Sequence, residues 1–317
     1  MCAVFGLLDF NRCLDNNSRE TILRVLSIEC EIRGTDATGY AFNEGELKIV
    51  KKPVPAHKLK LRLANETNII HGHTRMTTKG NAKNNYNNHP FFGIAGKTKF
   101  ALAHNGVLHC EDIIRKELGI LEGKIETDSF LAVQILEKFG ELNEENLAKM
   151  AETVEGDFVF TMLDEHNNSY FVRGNNPLAI YKFDAGFYVY ASTEEILNSA
   201  LKRFDLLKYK HEKIETKSGD ILKIDSDGNL TRTKFDTSNL MYGRYFPYLR
   251  PYYYDDAKEE DELKSIAQML GFTAEDVELL LDYGYLPDEI EEFLYDPDMF
   301  WSAMEFVYED FGIYGEF

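Results

Sequence analysis

The stretch Gly72-His73-Thr74-Arg75-Met76-Thr77-Thr78-Lys79-Gly80 sets an arginine between a short apolar run and a polar turn. An arginine beside a glycine-containing turn can hold a carboxylate with both arms of its guanidinium, which makes Arg75 a candidate anion-binding residue. Similar segments stand on either side. Upstream lies Arg33-Gly34-Thr35-Asp36-Ala37-Thr38-Gly39; downstream lie Asn88-His89-Pro90, Ala103-His104-Asn105-Gly106 and Glu126-Thr127-Asp128-Ser129. Asn105 and the N–H of Gly106 can supply two donors to a tetrahedral oxyanion, although Asn-Gly is also an ordinary turn dipeptide. A carboxylate such as Asp128 at the start of a predicted helix can hold an ammonium group, or can simply cap that helix.

Cys2 follows the initiator methionine directly. Methionine removal is favoured before a small residue, and the mature chain would then begin with cysteine. That end carries a thiol next to an α-amine whose pKa lies near ~7.7–8.0. Nucleophile and general base would belong to one residue, as in the pairing of threonine with its own N-terminal amine. Alone, Cys2 reads equally as a small residue entering a strand. With the other segments in their order along the chain, it reads as a nucleophile.

In these residues the sequence resembles the class II glutamine amidotransferase domain of the N-terminal nucleophile hydrolases. The order Cys2, RGxDxxG, GHTR, HNG and ETD is similar to that of the glutaminase domains of glucosamine-6-phosphate synthase and amidophosphoribosyltransferase. The likeness runs over residues 2–235, including Val154–Leu163, Ala191-Ser192-Thr193 and Lys217–Leu222. It implies an αββα sandwich, two antiparallel sheets between helix layers. It also implies that Cys2 attacks the side-chain amide of glutamine, that Asn105 and Gly106 form the oxyanion hole, and that Arg75 and Asp128 hold the substrate's α-carboxylate and α-ammonium. Thr78 would help line that pocket and Arg33 would support the nucleophile. No metal and no cofactor is implied, and His71, His73, His89 and His104 would serve as supports. Two residues depart from the common pattern, Met76 for an aromatic and Lys79 for a histidine. They leave open free glutamine or a γ-glutamyl compound as the substrate.

Coarse periodicity agrees with an α+β fold. Ala3–Leu8 predicts a buried strand, and Asn68–His71, Phe100–His104, Asp157–Leu163, Tyr170–Arg173, Ala179–Phe183 and Phe187–Ala191 predict further strands, the last four as hairpins. Helices are predicted over Arg19–Ile32 with Ser18 as cap, over Asp112–Leu118 and over Asp128–Phe139.

The 317 residues carry 54 acidic and 35 basic side chains, a formal net charge of -19. Residues 255–317 hold 20 of the acidic and 2 of the basic ones, so the rest is almost neutral. This predicts a domain over 2–235, an aromatic linker over 236–254 and an acidic helical extension over 255–317. In the extension, Thr273 to Asp276 reads as a capping box. A helix is predicted over Lys258–Leu270, Gly271 and Gly284 read as helix stops, and further helices are predicted from Pro287 and over Asp298–Phe311. The charge argues against direct nucleic-acid binding, which needs a basic surface. No stretch is long and apolar enough for a membrane span, and no signal-peptide layout opens the chain. Four cysteines without metal-like spacing suit a reducing cytoplasm. About 80 residues beyond 235 are too few for a sugar-isomerase, phosphoribosyltransferase or ATP-pyrophosphatase unit. The ammonia would then pass to a separate protein or be released. The acidic extension would suit a basic partner protein. The competing reading is a catalytically idle binding or regulatory protein that docks such a partner through its tail.

Overall fold

Strand β1 (Ala3–Leu8) is buried at all six positions, because both faces of its sheet are covered and alternate side chains enter different cores. In the computed structural model Ala3, Phe5 and Leu7 pack against Ile22, Leu23 and Leu26 of helix α1 (Asn16–Glu29) and against Leu197 and Leu201 of α5 (Glu194–Lys202). Val4 and Leu8 point the other way, toward Ala101, Ala103, Val159 and Leu163 of the second sheet. The structure describes residues 2–238 and 240 and, farther along, 263–264, 266–268, 270–285, 287–294 and 297–311.

The first sheet also contains β2 (Ala37–Glu44), β3 (Glu46–Lys52), β4 (Ile69–Arg75), β9 (Ala179–Phe183), β10 (Phe187–Ala191) and β11 (His211–Ile214), in the order β11-β9-β10-β1-β4-β2-β3. The second holds β5 (Phe91–Ala95), β6 (Thr98–His109), β7 (Glu155–Asp164), β8 (Ser169–Arg173), β12 (Asp220–Ile224) and β13 (Leu230–Lys234), in the order β13-β12-β8-β7-β6-β5. All the strand pairs are antiparallel. Outside the second sheet, Phe100, Leu102, Phe158 and Phe160 pack with Leu131 and Leu136 of α3 (Phe130–Phe139) and with Leu147 and Met150 of α4 (Glu144–Thr153). The result is the expected αββα sandwich.

The strands read from aromatic and β-branched runs are present, and several are longer than read. β6, for example, continues past His104 through Asn105 and Gly106 to His109. Helix α1 is capped by Asp15, whose side chain accepts from the Ser18 N–H at 2.7 Å, so Ser18 lies in the first turn and is not the cap. The helix ends at Glu29, and a 3-10 turn, Cys30–Arg33, carries the chain to the site. Helix α2 (Glu111–Leu118) starts one residue earlier than predicted.

The chain divides into two compact units, Met1–Met241 and Tyr242–Phe317. Leu240 packs in the core of the first. In the second, helices α6 (Ala274–Tyr283), α7 (Pro287–Leu294) and α8 (Pro297–Phe311) enclose Val277, Leu280, Ile290, Leu294, Phe300, Met304 and Val307. The Thr273–Asp276 capping box forms, and Gly284 closes α6 with φ +112. Residues 258–262 of the helix predicted from Lys258, and 241–254 of the predicted linker, lie outside the described residues. Among the described residues no helix is long and apolar enough to cross a membrane.

Candidate active site

Antiparallel pairing of β1 with β4 sets Ala3 opposite Thr74, which brings Cys2 to the end of β4 where Arg75 stands. Cys2 is buried, and its Sγ lies 3.4 Å from the carbonyl oxygen of Met76. Burial pushes the thiol above its ordinary pKa, with the Met76 main chain and the Arg75 charge offsetting part of the rise. A thiol held protonated in this way needs a base beside it before it can attack.

Arg33 at the end of the 3-10 turn donates from Nε to the carbonyl oxygen of Cys2 at 2.8 Å and from Nη2 to Oδ1 of Asn105 at 3.5 Å. One guanidinium thus ties the first sheet's N-terminal residue to a side chain on β6 of the second. With Oδ1 turned toward Arg33, the Asn105 amide presents Nδ2 elsewhere, and Nδ2 is buried with no hydrogen-bond partner. A buried donor without an acceptor costs about 1–3 kcal/mol. An oxyanion is one acceptor that would relieve the cost.

Gly106 continues β6 with φ +148, and a Cβ there would lie 1.8 Å from the carbonyl oxygen of Asp157 on β7. Only glycine permits this approach. The carbonyl of Asn105 is fixed from the other side by Nδ2 of Asn176 at 3.0 Å.

Arg75 is buried, and both arms of its guanidinium are held. Nη1 donates to Oδ1 of Asn88 at 2.8 Å, and Nη2 donates to the carbonyl of Lys79 at 2.5 Å. The loop after Arg75 is tied on both sides, because Thr77 N–H donates to Asp36 Oδ2 at 2.8 Å and Asn81 N–H donates to Glu126 Oε2 at 3.1 Å. Thr78 is exposed on this loop and, among the described residues, forms no hydrogen bond with the other candidate residues.

Asp128 is buried and does not cap α3. Its Oδ2 accepts the N–H of Leu108 on β6 at 2.7 Å, and its Oδ1 accepts the Ser129 hydroxyl at 3.2 Å. Ser129 also meets His104 Nδ1 at 2.8 Å. The charge of Arg75 lowers and that of Asp128 raises the Cys2 thiol pKa, so both groups lie within electrostatic reach of the sulfur. Burial keeps His73, His89 and His104 below the ordinary histidine pKa. His73 Nε2 donates to the carbonyl of His104 at 2.9 Å, bracing the strand that carries Asn105.

The structure therefore brings together Cys2, Arg33, Arg75, Asn105, Gly106 and Asp128 and leaves Thr78 at the rim. It adds Asn88, Asn176 and Ser129 as residues that hold the others. Asn88 had a signal, its place before His89-Pro90. Asn176 had none.

No family model and no curated protein matches the chain. Solved structures do. A glutamine phosphoribosylpyrophosphate amidotransferase from B. subtilis, complexed with ADP and GMP, aligns at a TM-score of 0.59 and 19% identity over 84% of this chain and 58% of that one. A structure described as the allosteric regulatory enzyme of purine biosynthesis aligns at 0.58 and 20%, over 84% and 58%. This chain thus matches less than two thirds of the length of either. The sandwich built here has the fold of the class II glutamine amidotransferases, that of the N-terminal nucleophile hydrolases.

Proposed function

We propose that this protein hydrolyses the side-chain amide of glutamine, or of a γ-glutamyl compound, through a thioester on Cys2. After loss of Met1, the α-amine takes the thiol proton and sulfur attacks the amide carbon. The oxygen of the tetrahedral adduct accepts from Asn105 Nδ2 and the Gly106 N–H. Collapse returns the proton to the departing nitrogen, which leaves as ammonia from glutamine or as the amine of a γ-glutamyl compound. Water, activated by the same amine, cleaves the thioester and releases glutamate. Arg75 binds the substrate α-carboxylate with the guanidinium hydrogens its protein partners do not use, Asp128 binds the α-ammonium, and Thr78 lines the rim.

The observation that carries this reading is the buried, unpartnered Nδ2 of Asn105 beside a cysteine tethered through the same Arg33. Preorganised donors of this kind are worth about 10²–10³ in kcat each. The reading requires an acyl-enzyme, and hydroxylamine intercepts one. Incubation with glutamine and hydroxylamine should yield γ-glutamyl hydroxamate, and intact-mass analysis should show a chain lacking Met1. Retention of Met1 would lock the base in a peptide bond and defeat the mechanism.

A further inference from the structure

Glu111 opens helix α2, three residues beyond the Leu108 N–H that holds Asp128. It is buried, yet its carboxylate is only half used. Oε1 accepts from Lys79 Nζ, while Oε2 is buried with no hydrogen-bond donor. Burying a carboxylate oxygen without a donor is expensive, and such atoms in folded proteins call for an explanation. The position supplies one. Lys79 is the residue whose main-chain carbonyl sits on Arg75, so a single residue links Glu111 to the candidate carboxylate binder. The segment Leu108–Glu111 likewise links Glu111 to Asp128. Arg75 feels the charge of Asp128, and Lys79 and Glu111 form an ion pair joined to both through the main chain. The side chain of Lys79 is half exposed, whereas that of Glu111 is buried.

An α-amino acid presents an ammonium with three N–H donors. Asp128 already accepts from Leu108 and Ser129 and offers limited remaining capacity. We propose that Glu111 is a second carboxylate for the substrate's α-ammonium, its Oε2 accepting one of the three N–H groups, so that the pocket selects free α-amino acids over their desamino counterparts. This rests on the glutamine reading above.

The test is calorimetric titration of full-length Cys2→Ala protein, which binds without turnover, with L-glutamine and with 4-carbamoylbutanoate, the same molecule without its amine. Adding Glu111→Gln should raise the Kd for glutamine about tenfold, as loss of one charge-assisted hydrogen bond does, and leave that for the desamino compound within about twofold. Lys79→Ala, a change at a half-exposed side chain, should keep the preference for glutamine. Equal weakening of both ligands by Glu111→Gln, no weakening of either, or loss of the preference in Lys79→Ala would each overturn the proposal. In those cases the Lys79–Glu111 pair would be a loop fastening only, or irrelevant to binding, while glutamine binding itself would stand. If Cys2→Ala protein with Glu111 intact bound neither ligand, the glutamine reading would fail and this inference with it.

Discussion

The Arg33 guanidinium and the Asn105 amide meet at 3.5 Å, while the same guanidinium holds the carbonyl of Cys2 at 2.8 Å. The contact decides which end of the amide faces the pocket. An arginine can only donate, so it selects Oδ1 and leaves Nδ2 free to serve an oxyanion.

Arg33 should therefore be a positioning residue whose loss is felt in turnover. Arg33→Met removes both bonds and lets the Asn105 amide rotate. The expected result is a fall in kcat of about 10²-fold, in line with loss of one oxyanion-hole donor, with little change in KM. A raised KM at unchanged kcat would place Arg33 in substrate binding instead.

Gly106 should tolerate no side chain. In Gly106→Ala the new Cβ meets the Asp157 carbonyl on the neighbouring strand, and φ +148 is strained for any L-residue. Relief requires β6 and β7 to part at the site. We expect a loss of about 3 kcal/mol or more in urea unfolding, together with loss of activity. A stable, active Gly106→Ala protein would mean that the strands are farther apart than described.

The motif residues were legible because each carries chemistry in its type: a thiol, a guanidinium, an amide before a glycine, a carboxylate at a helix start. Their order along the chain then supported one another. The strand runs were legible because both sheets are covered, so aromatic and β-branched residues cluster. Strands β2, β3, β5, β11, β12 and β13 were missed; β3, for example, lies at the sheet edge and reads Glu-Leu-Lys-Ile-Val-Lys-Lys, with charged residues the pattern takes for loop. Contacts such as Arg75 with Asn88 or Asn105 with Asn176 join residues far apart, and no local period signals them. The capping alternative for Asp128 was locally reasonable. It lost because the Leu108 N–H, brought by β6, competes better than the helix's own first turn.

Stability should fall on mild acidification. Burial lowers the pKa of His71 and of His73 to about 3, and lowers those of His89 and His104 as well. In the unfolded chain each takes a proton near about pH 6.5. Below that pH the unfolded state binds more protons than the folded one. Stability is thus complete above about pH 6.5 and is lost as pH falls toward the depressed folded values, by up to about 1.4 kcal/mol per pH unit for each histidine. Urea midpoints should be level between about pH 8 and 7 and drop between about pH 6.5 and 5, where carboxylates titrate little. A level profile down to about pH 5 would show that these imidazoles can be protonated in the folded protein.

The most direct measurement is glutamate release from glutamine by the full chain and by Cys2→Ala under identical conditions. The account predicts steady release by the wild type and none above background from Cys2→Ala, because the variant keeps the pocket and lacks the sulfur. Equal rates from the two proteins would contradict it, since the amide would then be cleaved without Cys2.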